Sequence, residues 1–116
     1  TERRFAVILE RDADKWFKPA KGQFQMAYKL GAEQPEYVPD FVASTAHSLL
    51  MVETKARNEL GNGDVMAKAQ AGALWCQHAS DHARTTGAKL WRYLLVPHDQ
   101  VTEDKRLTDY LAFAQA

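Results

Sequence analysis

An α/β domain, with helices on both faces of a mixed sheet, is predicted by three observations. The chain opens with apolar residues at three-and-four spacing, namely Phe5, Ala6, Ile8 and Leu9. Its middle, from Trp16 to Lys55, is rich in aromatic and β-branched residues and is broken by Pro19, Gly22, Gly31, Pro35 and Pro39. An alanine-rich stretch then leads to the apolar run Leu90–Val96. Helix, strands, helix and strand in that order let a sheet be covered from both sides. At 116 residues the chain is sized for one domain, and area scaling buries about two-thirds of the unfolded surface, enough for one core. No repeat, low-complexity tract or linker divides it, so residues 1–116 read as a single domain.

The first helix is expected over Glu2 to about Asp12. At 100° per residue Glu2 projects between Leu9 and Ala6, which places a carboxylate on the buried stripe. Strands are expected near Lys15–Lys18, Gln25–Leu30, Tyr37–Ala43 and Ser48–Thr54. The Ser44–His47 connection is short enough for a hairpin, which makes the last two antiparallel neighbours. Gly61-Asn62-Gly63-Asp64 reads as a turn ending in an N-cap residue, Asp64, ahead of a long helix to about His82. The stripe Met66, Ala69, Ala73 and Cys76 would pack closely on the sheet. Leu90–Val96, nearly all apolar, suits an interior strand covered on both faces and ended by Pro97. A short final helix is expected at about Leu107–Ala114.

Charge and cysteine content narrow the classes. A single cysteine, Cys76, cannot form an intrachain bridge, which fits a reducing compartment. No apolar run approaches the ~18 residues of a membrane span, and no signal-peptide pattern is present, so a cytoplasmic protein without a membrane partner is expected. Thr1 in place of methionine suggests a piece of a longer protein. Lys+Arg and Asp+Glu are 15 each, a zero net charge that argues against nucleic acid. The distribution is uneven, however. Lys15, Lys18, Lys21 and Lys29 lie in a stretch without acids, and Glu33, Glu36, Asp40 and Glu53 in one without Lys or Arg.

Three residues of this middle region converge. In a strand, alternate residues share a face, so Glu53 and Lys55 point one way and Thr54 the other. With the preceding strand as hairpin partner, Asp40 lies across from Glu53. Paired carboxylates at that separation repel, and a divalent oxygen-seeking cation removes the repulsion. The chemistry that suits such a site is metal-assisted hydrolysis of a phosphodiester. Asp40, Glu53 and the main-chain carbonyl of Thr54 would hold Mg²⁺, and Lys55 would orient water or stabilise developing negative charge. Glu2 would supply a further metal or metal-water ligand.

Asp40 and Glu53 sit 13 positions apart, between an acid-bearing helix and a long helix. Pro39-Asp40 with Glu53-Thr54-Lys55 resembles the signature of the PD-(D/E)xK nuclease superfamily. More of the chain carries a closer resemblance: Lys15-Trp16-Phe17-Lys18-Pro19, Lys21-Gly22-Gln23-Phe24, Tyr37-Val38-Pro39-Asp40-Phe41-Val42, Val52-Glu53-Thr54-Lys55, Lys68-Ala69 with Trp75-Cys76, and Trp91 to His98. These runs resemble the C-terminal endonuclease domain of type III restriction enzyme Res-type subunits. The resemblance implies a restriction-endonuclease-like three-layer α/β/α fold with a central mixed sheet and core order α-β-β-β-α-β. It also implies Mg²⁺-dependent cleavage of double-stranded DNA, coupled in the full protein to ATP through a motor domain absent from this chain and to a modification methyltransferase subunit. Asp40, Glu53 and Lys55 carry over as catalytic, and Glu2 as a metal ligand. Ala56 departs from the glycine expected after the lysine in many relatives.

Lys15, Lys18, Lys21 and Lys68 are candidate DNA contacts. His47, His78, His82 and His98 form no metal-ligand pattern. Cys76 is expected as a small core residue, and Trp16, Trp75 and Trp91 as core or half-buried platforms. A RecB-like exonuclease and a non-catalytic DNA-docking or subunit-contact module of the same fold are the competing expectations.

Overall fold

The computed structural model describes residues 1–29 and 31–115. Helix α1 (Glu2–Asp12) leads into β1 (Lys15–Phe17). A hairpin of β2 (Met26–Ala27) and β3 (Glu36–Tyr37) follows, then β4 (Phe41–Ser44), β5 (Ser48–Lys55), the long helix α2 (Gly63–Thr86), β6 (Leu90–Pro97) and a short β7 (Ala114–Gln115). The main sheet runs β1-β4-β5-β6-β7 and is antiparallel except for β5–β6, which pair in parallel. Helix α2 is the crossover that a parallel pair needs. No helix among the described residues is long and apolar enough to cross a membrane.

The two-residue alternation of β5 and β6 feeds two cores. Leu50, Val52, Leu94 and Val96 face α1, where Phe5, Ile8 and Leu9 are fully buried with them. Met51 and Tyr93 face the other way, onto Cys76 of α2 and onto Met26 and Tyr37 of the hairpin. The mixed sheet is thus covered on both faces, as expected, and the Ser44–Ser48 turn joins β4 to β5 with Thr45 accepting from and donating to Ser48.

Several boundaries differ from the sequence expectation. Tyr37–Ala43 is not one strand. Proline has no N–H for a ladder, and Pro39 splits the segment so that Tyr37 pairs with Met26 in the hairpin while Phe41 joins the main sheet opposite Val52. The expected strand Gln25–Leu30 contracts to Met26–Ala27: Gln25 holds a left-handed φ of 54°, and Leu30 lies outside the described residues. Asn62, not Asp64, caps α2, its Oδ1 accepting from the Asp64 N–H at 2.8 Å. The helix runs on to Thr86, where Gly87 at φ 73° ends it. Its buried line is Val65, Gly72, Cys76, Ser80 and Ala83, and Met66 is half exposed. Closest approach falls at Gly72, where any Cβ would overlap the Tyr93 ring, so that residue sets which face turns inward. The final segment is a 3₁₀ helix, Leu107–Phe113, that continues into the edge strand β7.

Candidate functional site

Asp40 lies one position beyond the β4–β5 ladder, in register with Glu53. Pro39 frees it from the sheet, and its Oδ2 accepts the Thr54 N–H at 2.9 Å and the Thr54 hydroxyl at 3.1 Å. Both of its side-chain hydrogen bonds among the described residues go to that one oxygen. Glu53 is 5% exposed. Its Oε1 accepts the Tyr37 hydroxyl at 2.7 Å, and its Oε2 lies 3.5 Å from the Lys55 ammonium, the two-residue alternation of β5 putting acid and lysine on one face. The three residues expected to act together are therefore together.

Burial, and then the neighbouring charge of Asp40, raises the Glu53 carboxyl to about 7. The Tyr37 and Lys55 contacts oppose that shift. Burial raises the Asp40 carboxyl too; the Thr54 hydrogen bonds pull against it, and Glu2 adds to it. Glu53, buried, and Asp40, partly buried, gain in this state from a positive partner, and Lys55, 3.5 Å from Glu53, is a distant one.

Glu2 is not on the buried stripe. Helix α1 begins at this residue, so no earlier turn covers it; its side chain is 54% exposed and accepts from Lys18 at 2.6 Å. Its charge still reaches Asp40. Lys18 also sits 4.4 Å above the Phe41 ring, next to Asp40 in sequence. Lys68 pairs with Asp64 at 3.2 Å and lies near the Tyr28 ring, close enough to Glu53 to feel its charge. Lys15 and Lys21 are exposed. Of the four candidate DNA contacts, Lys18 and Lys68 border the acids and already have partners.

Tyr37 and Tyr93 were not among the residues the sequence singled out. Their hydroxyls meet at 2.7 Å, and Tyr37 passes the chain on to Glu53. The signal was alternation, with Glu36 before Tyr37 and Arg92 before Tyr93 turning each phenol inward, where it needs a polar partner. Cys76 is buried, as expected, and its thiol is pushed up to about 12 by that burial. Trp16, Trp75 and Trp91 are half-buried. Among the described residues no group of three His, Cys, Asp or Glu side chains is gathered that could hold a metal ion, so Glu2 does not join Asp40 and Glu53 in one cluster of ligands. No family model, curated protein or solved structure was found to match the chain.

Proposed function

We propose that the chain is a Mg²⁺-dependent DNA endonuclease domain, of restriction-endonuclease-like fold, from a type III restriction-type, ATP-dependent enzyme. The observation that carries this reading is the register of Asp40 with Glu53 across β4–β5, with Lys55 beside Glu53 on the same face. The element order, with helix, three sheet strands, helix and parallel strand interrupted by one hairpin, supports it.

The donor set suits the ion. Mg²⁺ usually keeps several waters and takes one or two carboxylates plus substrate phosphate oxygens, so a two-acid site with a main-chain carbonyl is sufficient. Glu53 and Asp40, whose carboxyls are both raised by burial, are the groups such an ion would hold in their charged forms. Bound there, Mg²⁺ would supply Lewis-acid polarisation of the phosphoryl oxygen and a more acidic water. Thr54 holds Asp40 by Oδ2, so Oδ1 is the atom that would reach the ion. Lys55, paired to Glu53 yet partly open to solvent, stabilises negative charge that builds on the phosphorus oxygens or orients the attacking water. Glu2, exposed and paired with Lys18, would reach the ion only through water. DNA is held largely by the motor and the modification subunit, because a chain with no net charge has little non-specific affinity of its own.

Cleavage of double-stranded DNA by the full-length protein with Mg²⁺ and ATP tests this. It is expected to stop in D40N, E53Q and K55A while ATP hydrolysis continues; cutting that persists in all three overturns the assignment. Products that form only from free DNA ends would point to an exonuclease instead.

A further inference from the structure

We propose that Tyr37, backed by Tyr93, is the positioning residue for Glu53, fixing which carboxylate oxygen faces the reacting side; the functional part of this rests on the nuclease reading above. A glutamate side chain has three torsions to settle, and in a catalytic centre a carboxylate free to rotate loses the benefit of placement. Here the two oxygens are told apart by their neighbours. Oε1 receives the Tyr37 hydroxyl at 2.7 Å, and Oε2 is left toward Lys55 at 3.5 Å. A phenol has one proton. With that proton directed at the ionised Glu53, the 2.7 Å contact between the two hydroxyls requires Tyr93 to donate to Tyr37, so the three groups form a chain with a single direction toward the carboxylate.

The chain is anchored at both ends by packing. Tyr93 is 1% exposed, with its ring seated against Gly72 of α2. Tyr37 is 2% exposed and rides on the β2–β3 hairpin. Phe24, in the approach to that hairpin, stands edge-on to Trp75 at 4.9 Å and to Trp91 at 6.2 Å between ring centroids, which clamps the segment to α2 and β6. A purely apolar role would be served equally by phenylalanine at either position. A chain of two hydroxyls that ends on a buried glutamate, with every buried side-chain polar atom among the described residues satisfied, is a device for that glutamate.

The test uses Y37F and Y93F in the full-length protein, with D40N as the control for the nuclease reading. Y37F is expected to lower kcat for DNA cleavage by about 10- to 100-fold with KM unchanged, and to weaken Mn²⁺ binding to the protein by a similar factor. Y93F should do the same to a smaller extent, and both should keep a cooperative melt close to that of the parent. Cleavage and Mn²⁺ affinity in Y37F within twofold of the parent, while D40N is inactive, would overturn the positioning role and leave the nuclease reading standing. If the parent neither cuts DNA nor binds Mn²⁺, the nuclease reading fails, and the ¹³C carboxyl resonance of Glu53 decides the positioning claim alone. A shift of that resonance in Y37F supports it, and coincidence with the parent overturns it. The same resonance decides the matter should Y37F melt early, read then in Y93F.

Discussion

The two faces of the sheet are built from the same strands and differ in what they can tolerate. Toward α1, residues at even positions of β5 and β6 meet Phe5, Ile8 and Leu9 in a core of hydrocarbon. Toward α2 the odd positions bring Met51, Glu53 and Tyr93 against Tyr37, Cys76 and Met26, so a carboxylate and two phenols share the space with sulfur and aromatic rings. The first face is held by packing, which accepts conservative apolar exchange; the second is held by hydrogen bonds that must all be made. Apolar packing is concentrated on one side of the sheet, and the buried glutamate with its hydroxyl chain lies on the other, one residue apart.

The largest effect should come from the polar face and be seen in activity: E53Q or K55A is expected to reduce cleavage by about a thousandfold, while urea denaturation at neutral pH shows a fold at least as stable as the parent's for E53Q. The apolar face should give the reverse. L94A, which opens a cavity between α1 and the sheet, is expected to cost about 2–5 kcal/mol in the same denaturation experiment, with catalysis by the remaining folded fraction unchanged.

The third contrast is in pH. Glu53 keeps its proton in the folded state up to about 7, whereas the unfolded chain releases it near 4.5. The folded protein therefore binds more protons across that window, and stability falls as pH rises through it, by on the order of 3 kcal/mol once both states are ionised. E53Q should flatten this slope, and saturating Mg²⁺ should reduce it. A parent curve that rises from pH 5 to 8 would contradict the buried acid. Without competing ions, Mn²⁺ affinity should drop about tenfold for each pH unit below 7, as the ligand must first lose its proton.

G72A probes the seam between helix and hydroxyl chain. The added methyl would collide with the Tyr93 ring, at a cost of about 1–3 kcal/mol and a loss of activity larger than that of L94A. The smallest effect is expected for D12N, at the end of α1. The hydrogen bond from Arg11 holds the Asp12 carboxyl at about 2, helped by the Leu107 N–H. Its contribution is present above the ordinary aspartate range and fades as pH falls toward 2, the opposite sense to Glu53. Thermal melts at pH 2 to 5 should show a shallower acid limb in D12N.

The arrangement of Asp40, Glu53 and Lys55 was legible in the sequence because strand alternation and a short hairpin both act locally. The same holds for α1, for the Ser44–Ser48 turn and for the end of β6 at Pro97. What could not be read depends on contacts distant in sequence. The inward face of α2 is chosen by where Gly72 meets Tyr93, and the tyrosine chain needs the parallel β5–β6 register together with the seating of the hairpin. Glu2 was placed on a buried stripe by helical periodicity, which continues on paper to a residue where the helix has only begun. Pro39 was visible, but that it would send Tyr37 and Phe41 to different sheets follows only once both partners are known.

Pro39 also has a consequence for the order in which the molecule comes together. Asp40 is in register with Glu53 as soon as β4 and β5 close their short turn, an event of local contacts. Tyr93 arrives later, because β6 can pair in parallel only after the whole of α2 has crossed over, and such distant pairings form slowly. Closure of β4 on β5 is therefore expected to bring the two acids into register before the phenol chain reaches them. Amide exchange in Thr54 should become protected before that in Tyr93, and the acidic centre should acquire its altered proton affinity only when the crossover closes. The shift in proton affinity thus belongs to the closed crossover and not to the hairpin that bears the acids.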